Sequence, residues 1–158
     1  MLLKSFIALF MMTLSIFATE FHLAIPPGWD CVTDQSQLPK KVQLIAISPT
    51  KTKFTPSINV ASEETDQSLA DYVDTAKLYH ESEGQTHVTK LGQIPTRAGQ
   101  AQLLQIDRKT DFGTVRFLQA AVIKGDVAYV VTATCLRDEF ATYCSNFFDA
   151  IKSFEVVP

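Results

Sequence analysis

The chain has 158 residues, 46% of them hydrophobic and 20% charged, with only 6 Gly and 7 Pro: enough apolar material for one packed domain, and too little punctuation for a disordered or fibrous one. Lys and Arg number 14 against 17 Asp and Glu, a formal net charge of -3. No stretch gathers positive charge as a nucleic-acid footprint requires, so no nucleic-acid partner is expected.

The chain opens with a single positive charge at Lys4, followed by an uncharged apolar run over residues 6–18. That is the layout of an export signal. As a helix the run reaches only about 20 Å, whereas a membrane span takes roughly 20 residues. Ala18 offers a small residue for cleavage, although Ile16 is larger than usual at its position. The expectation is a cleaved signal peptide over residues 1–18 and a single domain over residues 19–158, exported to a periplasm or secreted, with no stable membrane span after signal removal. No cysteine follows the run until Cys31, so a lipid-attachment site is absent.

Residues 21–25 alternate apolar and polar or small side chains and predict a strand, stopped by Pro26-Pro27-Gly28 just before Trp29. Residues 42–47 predict a second strand closed by Pro49, and residues 57–61 a third, with Ile58 and Val60 on one face. From Asp66 the period changes. Leu69, Tyr72, Val73, Ala76 and Tyr79 recur every three or four residues, opposite Asp71, Asp74, Lys77 and Glu81, which predicts an amphipathic helix. Ser68 with Asp71 forms a variant capping box, Asp66 is an alternative cap, and Gly84 can supply the left-handed residue that ends the helix.

Residues 88–94, 100–108 and 114–123 predict three more strands, separated by Arg97-Ala98-Gly99 and Thr110-Asp111-Phe112-Gly113. Lys124-Gly125-Asp126 is a tight hairpin into a long β-branched strand over residues 127–135. Such short connections imply antiparallel neighbours, because a parallel crossover needs about a dozen residues or more. Asp138 can cap a closing helix whose face carries Phe140, Tyr143, Cys144, Phe147 and Ile151. There is no internal repeat and no low-complexity linker.

This order resembles the PsbP-like fold group, which includes the photosystem extrinsic subunit PsbP, the bacterial periplasmic DcrB proteins and the Ran-binding Mog proteins. The resemblance is carried by Ile25-Pro26-Pro27-Gly28-Trp29, by Ser68-Leu69-Ala70-Asp71-Tyr72-Val73 and by residues 147–154, and it spans nearly the whole mature chain. In character the chain is similar to the bacterial exported members. The resemblance implies an α+β domain, an antiparallel β-sheet flanked by helices on both faces, as in an α/β/α sandwich. It also implies an assembly or binding role toward a protein or cell-envelope partner. No catalytic constellation comes with it, and an export signal argues against nuclear transport.

Cys31, Cys135 and Cys144 are the most chemically suggestive residues, because an exported chain meets an oxidising compartment. If the closing helix folds back over the last strand near Asp138, Cys135 and Cys144 come level, about 10 and 9 Å from the corner. A disulfide between them is then geometrically allowed. The alternative is that both are small buried hydrophobes, since a helix about 10 Å from a sheet leaves the two Cα atoms near the upper limit of roughly 7 Å for bridging. Cys31 is then a free, packed thiol.

A cysteine hydrolase needs a histidine, and His22, His80 and His87 are available. His22 alternates with the core face of the first strand, and His80 lies in the last helical turn, where the dipole favours a cation, so both read as solvated. No C-x-x-C, H-E-x-x-H, G-x-S-x-G or phosphate-cradling glycine loop is present. Glu63-Glu64-Thr65-Asp66 lacks the spacing of a calcium loop and reads as a solvated helix entry. Lys40-Lys41, Lys51 and Lys53 read as ordinary surface. No catalytic residue, metal site or cofactor is expected.

Trp29 and Phe54 are the aromatics least explained by periodicity, and loop aromatics are common interface anchors, which makes them the candidate partner-binding residues. The functional expectation is an exported, non-enzymatic binding or assembly module. The alternative is an exported thiol-dependent hydrolase or redox enzyme using a Cys/His pair, which would show a cysteine sulfur within hydrogen-bond reach of an imidazole in a concave site.

Overall fold

Alternation in the strands and a 3.6-residue period in the helices set the elements of the computed structural model, which describes residues 20–50 and 52–158. The expected signal segment lies outside the described residues, as does Lys51. In chain order the elements are β1 (Phe21–His22), β2 (Asp30–Val32), β3 (Val42–Ile47), β4 (Ser57–Glu64), α1 (Leu69–Ser82), β5 (Thr86–Thr96), β6 (Gly99–Thr110), β7 (Gly113–Lys124), β8 (Val127–Leu136), a 3-10 turn (Arg137–Glu139), α2 (Phe140–Ser153) and β9 (Glu155–Val156). Strands β2 to β8 form a seven-stranded antiparallel sheet in the order β2-β3-β4-β8-β7-β6-β5, while β1 pairs with β9 in a separate two-stranded sheet. The fold is therefore α+β, with the antiparallel sheet that the short connections imply.

The hairpins β5–β6 and β6–β7 use one device twice. Thr96 Oγ1 accepts from the Ala98 N–H at 3.1 Å and donates to the Gly99 carbonyl at 2.7 Å. Thr110 Oγ1 does the same with Phe112 at 3.1 Å and Gly113 at 2.8 Å. Gly99 and Gly113 adopt φ of 111° and 113°, a region that a Cβ would penalise, so Thr-x-x-Gly fixes both turns and with them the register of three strands.

Alternate residues of each strand point to opposite faces. On one face Leu44, Ile58, Val60, Leu118, Val131 and Ala133 pack under Phe147, Ala150 and Ile151 of α2, with Phe154 beyond the helix end. Phe21, Leu23 and Ile25 extend this core along the chain's first segment, and the β1–β9 pair ties both ends of the described chain to it. On the other face Val73 of α1 packs on Val88, Leu104, Ile106 and Ala121, with Leu69, Tyr72 and Ala76 half-buried around it. Helix α1 rests on β5, β6 and β7, leaving that face of β3, β4 and β8 without a helix among the described residues.

Several local expectations need correction. Ser68 Oγ does accept from the Asp71 N–H at 3.1 Å, as the capping box requires. At the other end Gly84 is not left-handed; Gln85 takes that conformation with φ of 62°. Asp138 does not cap α2, because the chain first turns through a 3-10 segment and Glu139 stands at the cap without a side-chain hydrogen bond. The strand expected over 21–25 shortens to Phe21–His22, and Asp30–Val32 forms an edge strand that periodicity did not mark. Tyr79 is 63% exposed rather than packed, and His80 turns inward in its place.

Candidate functional site

Between α1 and the uncovered half of the sheet lies a cleft of about 710 Å³. Its floor is set by strand register. Asn59 on β4 pairs with Thr132 on β8, and Thr132 pairs with Gln119 on β7, so three neutral polar side chains stand side by side across three strands. At a strand spacing of about 4.8 Å the row is roughly 10 Å long. Ala61, Val130 and Ala121 form an apolar row on one side of it, and Ser57, Thr134 and Phe117 a mixed row on the other.

The row continues into the helix. Gln119 Nε2 donates to Thr132 Oγ1 at 3.2 Å, which leaves Gln119 Oε1 facing His80 Nε2 at 3.1 Å. Nε2 must then donate, and Nδ1 carries the lone pair. His80 Nδ1 is buried and has no hydrogen-bond partner among the described residues. Burial holds the His80 imidazole below its ordinary value; the Gln119 bond opposes this, Arg108 adds to it and Glu83 opposes it more weakly. The solvated cation expected at the helix end is instead a half-buried group whose neutral form burial favours. Asn59, half-buried at the far end of the row, makes no side-chain hydrogen bond among the described residues.

Both rims are charge-compensated. Lys41 Nζ donates to Glu63 Oε2 at 2.5 Å and the Tyr72 hydroxyl donates to Glu63 Oε1 at 2.7 Å. These bonds hold the Glu63 carboxyl below its usual range, Lys41 contributing most, while burial and then Glu63 push the Tyr72 phenol up. Lys41 is thus a rim residue rather than unattached surface, and Glu63 belongs to β4 rather than to a solvated helix entry. At the opposite rim Arg108 pairs with Glu83 at 3.0 Å, donates from Nε to Thr86 Oγ1 at 3.1 Å and lies over the Phe117 ring at 5.5 Å.

The residues singled out from sequence lie elsewhere. Trp29 is half-buried, edge-on to Tyr143 at 6.3 Å and to Phe147 at 6.4 Å, so it packs on α2. Phe54 is half-buried on the β3–β4 loop, where its carbonyl accepts from Thr52 Oγ1 at 2.5 Å. Neither lines the cleft.

Cys31, Cys135 and Cys144 are all free thiols, so the bridge between Cys135 and Cys144 is not formed in this structure. Cys144 is half-buried and its thiol turns back to the Ala141 carbonyl of its own helix at 3.6 Å. Cys135 is fully buried opposite Arg116, and burial, reinforced by the Glu139 charge, pushes its thiol up to about 12. Cys31, exposed on β2, is also raised by partial burial.

Register puts Cys31 and Cys135 on the α2 side of the sheet and His80 on the α1 side, so the sheet separates that imidazole from both thiols. Among the described residues no group of three or more His, Cys, Asp or Glu side chains is placed to hold a metal ion, and no helix is long and apolar enough to cross a membrane.

The sequence carries a signal for this site. Thr132 and Thr134 occupy one phase of a strand whose other phase is Val131, Ala133 and Cys135. Asn59 sits between Ile58 and Val60, and Gln119 between Leu118 and Ala120. A polar phase inside otherwise apolar central strands marks a sheet face that is not sealed by a helix.

No protein-family model matches the sequence, and no curated protein matches it. Solved structures do. LpqN of Mycobacterium tuberculosis, described as involved in cell envelope biogenesis, aligns with a TM-score of 0.64 at 15% identity, over 89% of this chain and 86% of LpqN. The cyanobacterial PsbP of Synechocystis sp. PCC 6803 aligns with a TM-score of 0.63 at 15% identity, over 87% of this chain and 86% of that one. The Ran-binding protein Mog1p of Saccharomyces cerevisiae aligns with a TM-score of 0.59 at 18% identity, over 87% and 90% of the two chains. With its antiparallel sheet, its helix on either face and its likeness to these three structures, the chain has the PsbP-like fold.

Proposed function

We propose that the protein is an exported, non-enzymatic binding or assembly module that engages its partner through the cleft beside α1. The observation that carries this reading is the polar row Asn59–Thr132–Gln119, which runs from the uncovered part of the sheet to His80 at the edge of α1 and ends at an Asn59 amide that bonds to no other side chain among the described residues. Concave sites with a few convergent polar groups on apolar walls are the usual form of a binding site. Two of the similar structures are named for an envelope role and for binding a protein, which supports association as the mode of action on this scaffold. In this reading Trp29 serves the packing of α2, and Phe54 lies on the loop joining β3 and β4. Residues 1–18 are removed after Ala18, and intact-mass analysis of the exported protein checks this: a product beginning near Thr19 is expected, and retention of Met1 would contradict it.

The cleft itself is tested by photo-crosslinking in the producing cell from position 79, at its mouth, and from position 149, exposed on α2 across the sheet. A specific protein or envelope adduct from position 79 and none from position 149 is expected; the reverse pattern would overturn the assignment. Folded Cys31→Ser protein should keep full cellular function, and its loss would return the thiol-enzyme reading.

A further inference from the structure

We infer that the occupant of this cleft is an uncharged, extended peptide segment of the partner, its backbone amides paired with the Asn59 end of the polar row. The inference rests on the binding reading above and specifies the chemistry of the ligand. A primary amide offers one carbonyl acceptor and two N–H donors, the complement of a peptide unit, and Asn59 spends none of these within the described protein. The remaining floor groups are also neutral, but Gln119 is engaged with Thr132 and His80, and Thr132 and Thr134 are buried, so Asn59 is the floor group with its hydrogen-bonding capacity open to a ligand among the described residues.

Charge selects against ionic ligands. Lys41 pairs with Glu63 and Arg108 with Glu83, so among the described residues neither rim offers an unpaired charge to an ionic ligand. Shape selects for an extended chain. The row is about 10 Å long, close to the reach of three extended residues at roughly 3.3 Å each, with its Gln119 end meeting His80 of α1, so a chain would enter from the Asn59 end, and 710 Å³ leaves room for its side chains. Half-buried Val130 on one side and half-buried Phe117 on the other offer apolar contact to side chains of such a segment.

The test uses isotopically labelled protein, purified as its producing cell makes it, and reads backbone amide shifts. The probes are acetylated, amidated hexapeptides composed of Ser, Thr, Asn, Gln, Ala, Leu and Tyr, the same peptides with a central Glu or Lys, and maltotriose as a neutral carbohydrate. Neutral peptides should produce saturable shifts at Asn59, Gln119 and Thr132, and the charged versions should bind roughly tenfold more weakly. Asn59→Leu should weaken the neutral peptides about tenfold, whereas Leu78→Ala, on an exposed part of α1 outside the cleft, should not. If Asn59→Leu proves unfolded, Tyr79→Ala at the exposed mouth replaces it, with a smaller loss expected.

Equal or tighter binding of charged peptides, failure of the whole neutral panel to saturate, or shifts of these same amides by maltotriose in place of peptide would each overturn the inference. Crosslinking from position 79 together with a silent peptide panel would leave the binding reading standing and remove the peptide inference alone.

Discussion

On the α2 side of the sheet, Phe147, Ile151 and Phe154 close over Leu118, Val131 and Ala133, and all six are almost completely shielded from water. On the α1 side, Val73 is the one helix residue fully buried, the strands that the helix leaves uncovered present Asn59 and Thr132, and Gln119 continues their row on β7 beneath His80. The same strands build both faces, so the contrast comes from which residue phase each strand gives to each side. Burial of apolar surface is non-directional and stabilises about in proportion to area, so a dry face can hold the fold by itself. A face relieved of that duty can keep polar groups whose hydrogen bonds are completed by something else.

The largest effect should come from attacking the dry face. Phe147→Ala should cost about 3–5 kcal/mol and Ile151→Ala about 2–5, through lost contacts and the cavity left behind. Phe140→Ala, at a half-buried position, should fall at the lower end of that range. Val73→Ala, from a helix packed on only part of its face, should cost roughly 1–2 kcal/mol, and Lys152→Ala should stay within about 0.5 kcal/mol. Chemical denaturation measures all five; equal losses for Phe147→Ala and Val73→Ala would erase the asymmetry.

Much of the dry face was readable from the chain alone. Alternation over β6, β7 and β8, with Thr-x-x-Gly at two turns, specifies neighbouring strands and their inward phase before any tertiary contact is considered. The helix stripe of Phe147 and Ile151 follows from its period. The cleft was not readable in that way, because its row runs perpendicular to the strands and joins residues 59, 119 and 132 from three separated segments. Only register brings these together. His80 shows the same limit: its place in the last turn suggests a solvated cation, but the way α1 lies on β7 carries the ring to Gln119. Trp29 shows a related limit, since a loop aromatic beside two prolines gives no hint that α2 will fold back over it. β2 spans three residues, too few for alternation to be recognised.

The contrast can be sharpened with the three thiols. Cys31 should react first with a thiol reagent in the native state and Cys144 more slowly; Cys135, fully buried with its thiol pushed up to about 12, should react only on unfolding. Mass-resolved labelling kinetics give the order, and early labelling of Cys135 would mean that the α2 face opens.

Smaller still are the pH effects on the cleft side. The folded state holds His80 below its unfolded value, so its contribution is present above about pH 6.5 and declines as the pH falls through that value toward the lower folded one. Glu63 is likewise depressed, so its contribution is present above about pH 4.5 and is lost as the pH falls further. Stability measured against pH should therefore show two shallow declines on acidification, and His80→Gln should remove the first. A decline near neutrality that survives His80→Gln would place its origin elsewhere.

The most direct measurement of the division between a stabilising face and a binding face is Asn59→Val, read both by chemical denaturation and by crosslinking from position 79. Valine suits a central strand, and Asn59 has no hydrogen bond within the described protein to lose. The account predicts an unfolding midpoint unchanged or raised and a crosslinked partner lost. A destabilisation comparable to Phe147→Ala with the partner retained would contradict it, making the polar row part of what holds the fold together.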